Sequence, residues 1–219
     1  MIVKVGGAVA ADSAARVLGL GSEGNQVVVV HGAGPQISAE LAARAIPAEF
    51  VGGRRVTSAD AIAVVREALV AVNRALCIAL GETAIGLIGD EIGLQATQVP
   101  ELGLVGDPSP SRPAAIEDAL AAGRIPVVAP LAAGPLNVNA DEMAAALAVG
   151  LGADRIFFLT DVAGLLLDGA VVDRIEADDA EQLLAEGLLE GGILPKLRAA
   201  VTAARLGVEA EIGETAVVA

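Results

Sequence analysis

The chain has 219 residues, enough for one sizeable domain or two small ones. It carries 14 Lys plus Arg against 28 Asp plus Glu, a formal charge of −14, with no cluster of basic residues, which argues against nucleic acid or an anionic membrane as a partner. Hydrophobic residues make up 54%, but Trp and Tyr are absent, so we expect an aliphatic core and no stacking of bases on an aromatic platform.

Short β-rich apolar runs alternate with longer segments of helical periodicity along the whole chain. The predicted strands span residues 2–5, 26–30, 84–88, 125–129 and 155–159. The predicted helices span residues 35–45, 58–80, 113–122, 140–151, 177–186 and 192–206. Such alternation is typical of an α/β fold with a largely parallel sheet.

Two glycine-rich turns follow the first two predicted strands. The first strand ends as K-V-G-G at residues 4–7, and the second ends as H-G-A-G-P at residues 31–35 and enters a helix. Backbone N–H groups in such turns can bind an anion, and Lys4 adds positive charge, so we expect one anion-binding floor. Either turn alone is more often only a tight turn, and neither matches the Walker A or dinucleotide fingerprint.

Two polar segments precede predicted helices. Arg54 and Arg55 lie in a loop where an Arg fork can bind a carboxylate, although two solvated arginines are the more common outcome. The alternating polar run N-V-N-A-D at residues 137–141 leads into an Ala-rich helix, and its Asn139 can also be a simple helix cap. Both segments are therefore candidates for ligand binding.

The segment at residues 91–113 differs from the rest of the chain because it is rich in Gly and Pro. This composition predicts a hairpin excursion or a mobile loop rather than a helix. A mobile element of this kind would suit a lid over the substrate.

Two further motifs lie in the last third of the chain. T-D-V-A-G at residues 160–164 follows the most hydrophobic strand, at the sheet edge where ligands of open α/β folds collect. G-G-I-L-P-K at residues 191–196 opens the last helix and puts Lys196 near a helix amino terminus, where a cation is unfavourable unless it serves a ligand. The alternative for Lys196 is an ordinary surface lysine.

The cysteine count and the hydropathy pattern indicate the cellular compartment in which the protein is expected. The single Cys77 cannot form an internal disulfide, and with a single His the chain lacks a Cys/His metal cage. Cys77 lies in an apolar run, so core packing is favoured over a reactive thiol. The longest apolar runs are too short for a membrane span and no signal-peptide pattern begins the chain, so a cytoplasmic protein is expected.

In this order, the motifs resemble those of the amino acid kinase family, from residue 2 to about residue 207. The resemblance rests on K-x-G-G, V-V-H-G-x-G-P, G-x-R-V-T, N-x-N-A-D, L-T-D-V-x-G and G-G-x-x-P-K. It implies a single domain built as a three-layer sandwich around an open, mostly parallel sheet. It further implies an amino-terminal substrate lobe at about residues 1–137 and a carboxyl-terminal nucleotide lobe at about residues 138–219.

The resemblance also implies a reaction, the ATP-dependent phosphorylation of the γ-carboxylate of N-acetyl-L-glutamate in arginine biosynthesis. Mg²⁺ would be held mainly by phosphates and water, so no protein metal ligand is expected. In-line phosphoryl transfer needs positioning and charge neutralisation, so no protein nucleophile is required.

Site residues carry over by their positions in the motifs. The catalytic residues would be Lys4 and Lys196, which stabilise the transition state, and Asp141, which holds both lysines. The acyl substrate would contact Ala33, Gly34, Arg55 and Asn137. The nucleotide would contact Gly6, Gly7, Gly32, Asp161, Val162, Ala163, Gly164, Leu165, Leu166, Leu188, Leu189 and Glu190.

The sequence departs from the family pattern at three places. Ala33 replaces the middle glycine of the usual H-G-G-G, which would cost about 1 kcal/mol or more if the backbone there had a positive φ. Met1 leads straight into the first strand, without the helix of arginine-inhibited hexameric members, which implies a homodimer insensitive to arginine. The stretch before the final strand is nearly absent at residues 210–218, which bears on the packing of the nucleotide side.

Two alternatives to this reaction remain open from the sequence. A kinase for aminoadipate or glutamate bound to a carrier protein would need a basic docking surface, of which the charge of −14 offers little. A non-catalytic sensor of nucleotide or acetylglutamate would fit the trimmed carboxyl terminus but would not need two lysines and Asp141 together. Glutamate 5-kinase is less favoured because His31 stands where that branch generally has Ser. The long helix at 58–80 is the expected dimer contact.

Overall fold

A computed structural model describes residues 1–6, 10–159, 163–167, 169–187, 189 and 191–219, with the side chains of residues 10–12 also left out. Five residues predicted to contact the nucleotide lie outside the described residues: Gly7, Asp161, Val162, Leu188 and Glu190.

Seven helices are described. They are α1 (Ala10–Ser22), α2 (Gly34–Ala43), α3 (Ala59–Leu80), α4 (Ala114–Ala121), α5 (Ala140–Leu151), α6 (Ala177–Glu186) and α7 (Ile193–Arg205). Each of the six predicted helices matches one of them, with its ends within one or two residues. The sequence pattern missed α1, in which two glycines and two serines lower helix propensity and obscure the periodicity.

Sixteen strands, many of them only two residues long, make up the described β structure. The first eight are β1 (Ile2–Val5), β2 (Val28–His31), β3 (Phe50–Val51), β4 (Arg54–Arg55), β5 (Ala84–Ile88), β6 (Ala96–Gln98), β7 (Val105–Pro108) and β8 (Ile125–Ala129). The others are β9 (Leu131–Ala132), β10 (Leu136–Val138), β11 (Arg155–Leu159), β12 (Leu166–Leu167), β13 (Ala170–Val171), β14 (Arg174–Glu176), β15 (Glu209–Ile212) and β16 (Thr215–Val218).

One eight-stranded sheet forms the centre of the molecule, in the order β14-β16-β15-β11-β1-β2-β8-β5. All its neighbouring strands are parallel except β15 and β16, which form an antiparallel pair joined by a two-residue turn. The five predicted strands are β11, β1, β2, β8 and the edge strand β5, and the sequence pattern missed β14, β16 and β15 on the other side of the sheet. The prediction of an open, mostly parallel sheet is confirmed.

Helices cover both faces of this sheet. Val3 and Val5 of β1 pack with α1, α2 and α3, whereas Ile2 packs on the opposite face with α4 to α7. Two separate buried clusters result, because successive side chains of a strand point to opposite faces. Helix, sheet and helix therefore form the predicted three layers.

The Gly- and Pro-rich segment is a hairpin, as expected. Strands β6 and β7 pair antiparallel, and β7 also pairs parallel with β10 in a four-stranded sheet beside the main one. Asn137 of β10 lies opposite Val105 of β7 in this register. The hairpin is thereby built into the wall that carries Asn137.

Candidate active site

Two lysines from separate elements meet at one carboxylate. Lys4 is the third residue of β1, Asp141 is the second residue of α5, and Lys196 lies in the first turn of α7. The Nζ of Lys4 is 2.9 Å from Oδ1 of Asp141, and the Nζ of Lys196 is 3.8 Å from Oδ2. All three side chains are largely buried, with 8%, 6% and 14% of the Lys4, Asp141 and Lys196 surfaces exposed. The structure thus brings together the three predicted catalytic residues.

The start of α5 fixes the orientation of Asp141. Asn139 is the N-cap residue, and its Oδ1 accepts hydrogen bonds from the backbone N–H groups of Asp141 and Glu142 at 2.8 and 3.3 Å. The Nδ2 of Asn139 donates to the carbonyl of Gly53 at 3.4 Å. Asn139 is therefore a helix cap, as its alternative interpretation held, and it also ties α5 to the turn between β3 and β4.

The charges of this cluster favour an anion beside it. Two ammonium groups and one carboxylate leave one net positive charge in a largely buried place, where interactions between charges are weakly screened. An incoming phosphoryl group can contact both lysines. The carboxylate of Asp141 offsets the repulsion between the two ammonium groups and so keeps them close together. This is the chemistry that transfer of a phosphoryl group between two anions requires.

A cavity of about 270 Å³ opens beside Lys4 and Asp141. The predicted substrate residues Ala33, Gly34, Arg55 and Asn137 all line it. Lys196 does not line the cavity but reaches Asp141, which does. The sequence motifs at three strand ends and one helix start therefore converge on one site.

Arg55 is the main cationic group of the cavity wall. Its Nη2 donates to the carbonyl of Gly34 at 3.1 Å and to Oγ of Ser38 at 2.8 Å, and its guanidinium stacks 4.5 Å from the ring centroid of Phe50. Its Nη1 is buried and donates to no acceptor among the described residues. Burial lowers the pKa of the Arg55 guanidinium. A buried N–H group without an acceptor is costly, and a ligand carboxylate would supply the acceptor.

Thr57 positions Asn137. Its fully buried hydroxyl donates to the carbonyl of Arg55 at 2.9 Å and accepts from Nδ2 of Asn137 at 3.0 Å. The amide nitrogen of Asn137 is thereby directed at Thr57, which leaves its carbonyl oxygen as the group for a ligand N–H. This link joins the G-x-R-V-T and N-x-N-A-D motifs, and the sequence did not reveal it.

The turn after β2 departs from expectation at two residues. Ala33 has φ −140° and is the N-cap of α2, so the strain considered for a non-glycine residue at this position does not arise. The N–H of Gly32 donates to the carbonyl of Val5 at 2.9 Å, which extends the sheet. That N–H is therefore occupied in this structure, and the predicted contact of Gly32 with the nucleotide stays a prediction. A Cβ built on Gly34 or on Gly6 would meet no atom within 4 Å, so both face open space.

Arg54 is not the solvated residue that the sequence favoured. Its Nε donates to Oε1 of Glu142 at 2.9 Å and its Nη2 forms an ion pair with Asp107. Burial disfavours the charged form, but bonds to Glu142 and Asp107 outweigh it and raise the pKa of Arg54. Burial raises the pKa of Glu142, in spite of Arg54.

The other described residues predicted for the nucleotide lie in the chain between β11 and α7. Leu165 is fully buried, its N–H donates to Oγ1 of Thr215 at 2.8 Å, and its carbonyl accepts from Val172. Its backbone and side chain therefore hold the loop in place rather than face a ligand. Ala163 accepts from the N–H of Glu214, Gly164 packs on Thr215, Leu166 is exposed and Leu189 packs on the core.

A buried histidine lies directly behind the glycine-rich turn. His31 has no exposed surface, and Asn73 of α3 places its Nδ2 3.1 Å from Nε2 of His31 and 2.8 Å from the carbonyl of Val127. Because Asn73 donates, Nε2 is the acceptor and the imidazole is neutral. Burial lowers the pKa of His31 to about 4, opposed by a backbone bond to Gly32. The sequence named His31 in a motif but gave no sign of Asn73 as its partner.

Other expectations concern metals, cysteine and membranes. Among the described residues, no group of three or more His, Cys, Asp or Glu side chains could hold a metal ion. Cys77 is half-buried against the core and burial raises the pKa of its thiol, as suits a packing residue. None of the described helices has both the length and the apolar run needed to cross a bilayer.

Comparison with known proteins defines the class. A model of the amino acid kinase family matches residues 1–213, and the chain belongs to this family. Acetylglutamate kinase of Rubrobacter xylanophilus is 42% identical over 97% of this chain and 87% of that enzyme. Acetylglutamate kinase of Geobacillus stearothermophilus is 37% identical over 93% and 84%. The solved structure of smu.665 from Streptococcus mutans has a TM-score of 0.90 and 29% identity, with 99% and 97% coverage.

Proposed function

We propose that the protein transfers the γ-phosphoryl group of ATP to the γ-carboxylate of N-acetyl-L-glutamate. The observation that carries this proposal is the pair of Lys4 and Lys196 on the two oxygens of Asp141, at the edge of the cavity that contains Arg55. The similarity to acetylglutamate kinases over nearly the whole chain supports the choice of acyl substrate.

The acyl substrate would bind in the cavity of about 270 Å³. Arg55 would bind a carboxylate through its unpaired Nη1, since hydrogen bonds between two charged groups are the strong ones. Asn137 would accept a hydrogen bond from the acetamido N–H, because Thr57 already holds its amide nitrogen. The start of α2 at Gly34 adds the positive end of a helix dipole beside the anionic substrate.

Transfer would follow an in-line path. An oxygen of the γ-carboxylate attacks the γ-phosphorus, the bond from phosphorus to the bridging oxygen breaks, and ADP leaves with the electron pair. Lys4 and Lys196 would stabilise the charge on the transferring group, and Asp141 would keep both ammoniums in place. Mg²⁺ would arrive on the phosphates, in keeping with its preference for phosphate and water oxygens.

The nucleotide would lie on the carboxyl-terminal side. We assign the substrate lobe to about residues 1–137 and the nucleotide lobe to about residues 138–219, with their boundary in the sheet between β1 and β11. Contacts predicted for Gly7, Asp161, Val162, Leu188 and Glu190 remain part of this proposal. Gly6 would take part through its backbone, since space is open above it.

The two alternatives are less well supported. A carrier-linked substrate would need a basic docking surface, whereas Arg54, Arg66 and Arg205 each pair with two carboxylates. A sensor without turnover would not need a second buried lysine at Asp141.

A hydroxamate assay tests the proposed reaction. Purified protein with ATP, Mg²⁺ and N-acetyl-L-glutamate should produce an acyl phosphate that hydroxylamine traps, and glutamate or aminoadipate should give far less. Folded protein that yields no hydroxamate would refute the proposal. A product with glutamate but not with acetylglutamate would refute the choice of substrate.

We further propose that the protein is a cytoplasmic homodimer that pairs through α3. Val70 and Ile78 of α3 are 40% and 72% exposed, and with Ala71 and Ala75 they line a shallow groove. A second copy is the occupant to which we commit, because a two-fold axis across α3 would set the exposed apolar residues of the two helices against each other.

The mass in solution tests this contact. Ile78→Glu should convert a dimer to a monomer in sedimentation experiments, because burying a carboxylate at an apolar contact is costly. Leu206→Glu is the matched control, since Leu206 is 57% exposed at the end of α7. A monomeric wild-type protein, or a dimer that survives Ile78→Glu, would refute the proposed contact.

A further inference from the structure

Arg54 lies where three elements of the candidate site meet. It belongs to β4 next to Arg55, it pairs with Glu142 of α5 next to Asp141, and it pairs with Asp107 of β7. Strand β7 is in turn the parallel partner of β10, which carries Asn137. One guanidinium therefore links β4, which carries Arg55, to the start of α5 and to β7, the neighbour of the strand that carries Asn137.

The hairpin of β3 and β4 has little structure of its own. Each strand is two residues long, and Gly52 and Gly53 form the turn with φ of 58° and 84°. A two-stranded hairpin is marginal in water even when longer, so its position depends on what it contacts. At the tip, the carbonyl of Gly53 accepts a long hydrogen bond of 3.4 Å from Nδ2 of Asn139, and a Cβ built on Gly53 would lie 3.6 Å from Pro195 of α7.

The contacts of Arg54 are stronger than those of the turn. Its side chain is 24% exposed and that of Glu142 is 25% exposed, so this pair is less screened than a surface pair. A guanidinium can bind two carboxylates at once because its donors diverge in a fixed plane. Arg54 also lines both the substrate cavity and a second cavity of about 650 Å³, so its side chain separates the two.

We propose that Arg54 is a positioning residue for the acyl substrate. Held by Glu142 and Asp107, it fixes the hairpin at residues 50–55 against the start of α5, and so sets Arg55 opposite Lys4 and Asp141. The inference rests on the proposed function for its substrate. Arg54 itself touches no reacting atom.

Steady-state kinetics of matched variants test the proposal. Arg54→Leu removes both ion pairs and should raise the KM for N-acetyl-L-glutamate about tenfold or more, with the KM for ATP unchanged. Arg54→Lys, which can hold one carboxylate but not both, should lie between that variant and the wild type. The control is Arg205→Leu, since Arg205 bridges Asp178 and Glu181 away from the cavity.

A second readout does not depend on the substrate. Hydrogen exchange of the amides at residues 50–55 should become faster in Arg54→Leu and stay unchanged in Arg205→Leu. The proposal is overturned if Arg54→Leu matches the control in both measurements, or if the two KM values rise together as for general loss of structure. A wild-type protein that phosphorylates no acetylglutamate refutes the proposed function instead, and the exchange experiment still decides the role of Arg54.

Discussion

Lys4 and Asp141 form a largely buried ion pair, 2.9 Å between Nζ and Oδ1, that joins the end of β1 to the first turn of α5. The strand lies in the middle of the sheet, between β11 and β2, so Lys4 is held by parallel neighbours on both sides. Asp141 is held by its helix cap. The pair therefore holds the ammonium group of Lys4 in a fixed place, and Lys196 at the same carboxylate makes the cluster of three positive overall.

Removal of the charge of Asp141 should abolish most of the turnover. In Asp141→Asn the two lysines lose their shared counter-charge, so we expect kcat to fall about 10²- to 10³-fold, in the range of other lost electrostatic contacts in active sites. The hydroxamate assay gives kcat. Asp90→Asn is the control, because Asp90 pairs with Arg66 outside the site. An equal effect of the two variants would contradict the role of Asp141.

Lys196→Ala should affect the transition state more than substrate binding. The Nζ of Lys196 lies 3.8 Å from Asp141, outside the acyl cavity, so the ground state of acetylglutamate does not need it. We expect kcat to fall with little change in either KM, because an interaction made mainly in the transition state has that effect. A raised KM with unchanged kcat would instead mark Lys196 as a binding residue.

Arg55→Lys should raise the KM for acetylglutamate while kcat changes less. An ammonium keeps the charge but loses the planar fork and the stacking on Phe50, so we expect a loss of about tenfold in KM. Initial rates at varied acetylglutamate concentration check this. Arg112→Lys is the control at an exposed arginine paired with Glu117. If only the KM for ATP rose, Arg55 would bind the nucleotide and not acetylglutamate, and the prediction would be wrong.

The sequence could predict the elements and the residues at strand ends, but not their side-chain partners. Lys4 stands in a motif whose position at the end of a buried strand follows from local patterning. Glu142, a partner of Arg54, is 88 residues away from it along the sequence, and Asn73, the partner of His31, is 42 residues away. Pairs of this kind depend on how layers pack, which a local pattern does not encode. The sequence likewise did not reveal that the N–H of Gly32 donates to the carbonyl of Val5 in β1.

The free energy of unfolding should decrease as the pH is lowered, partly because of His31. Its pKa is lowered to about 4 in the folded protein from the ordinary value of 6.5, so the unfolded chain binds the proton more readily. Stability from this group is full above about pH 6.5 and is lost as the pH falls towards about 4, by about 2 kcal/mol between pH 7.5 and pH 5. Urea unfolding at both pH values measures it.

His31→Gln supplies the comparison for this pH effect. The amide can still accept from Asn73 but does not titrate, so the variant should lose less stability over the same pH range. Carboxylates titrate in both proteins and cancel in the difference. Parallel pH profiles of the two proteins would show that His31 contributes nothing.

Thr215 should support the nucleotide side of the site through the backbone of Leu165. Its fully buried hydroxyl accepts the N–H of Leu165 at 2.8 Å, and Gly164 packs against it so closely that a Cβ there would meet Oγ1 at 2.5 Å. Thr215→Val leaves a buried N–H without an acceptor, which costs about 1 to 3 kcal/mol.

The variant should therefore unfold at lower urea and raise the KM for ATP more than that for acetylglutamate. Thr202→Val is the control, because the hydroxyl of Thr202 bonds only within its own helix, to the carbonyl of Arg198. Thr215 is the first residue of β16, after the two-residue turn from β15, and its hydroxyl contacts Leu165 in the chain that follows β11. Unchanged stability and unchanged KM for ATP would mean that this contact does not organise the nucleotide side.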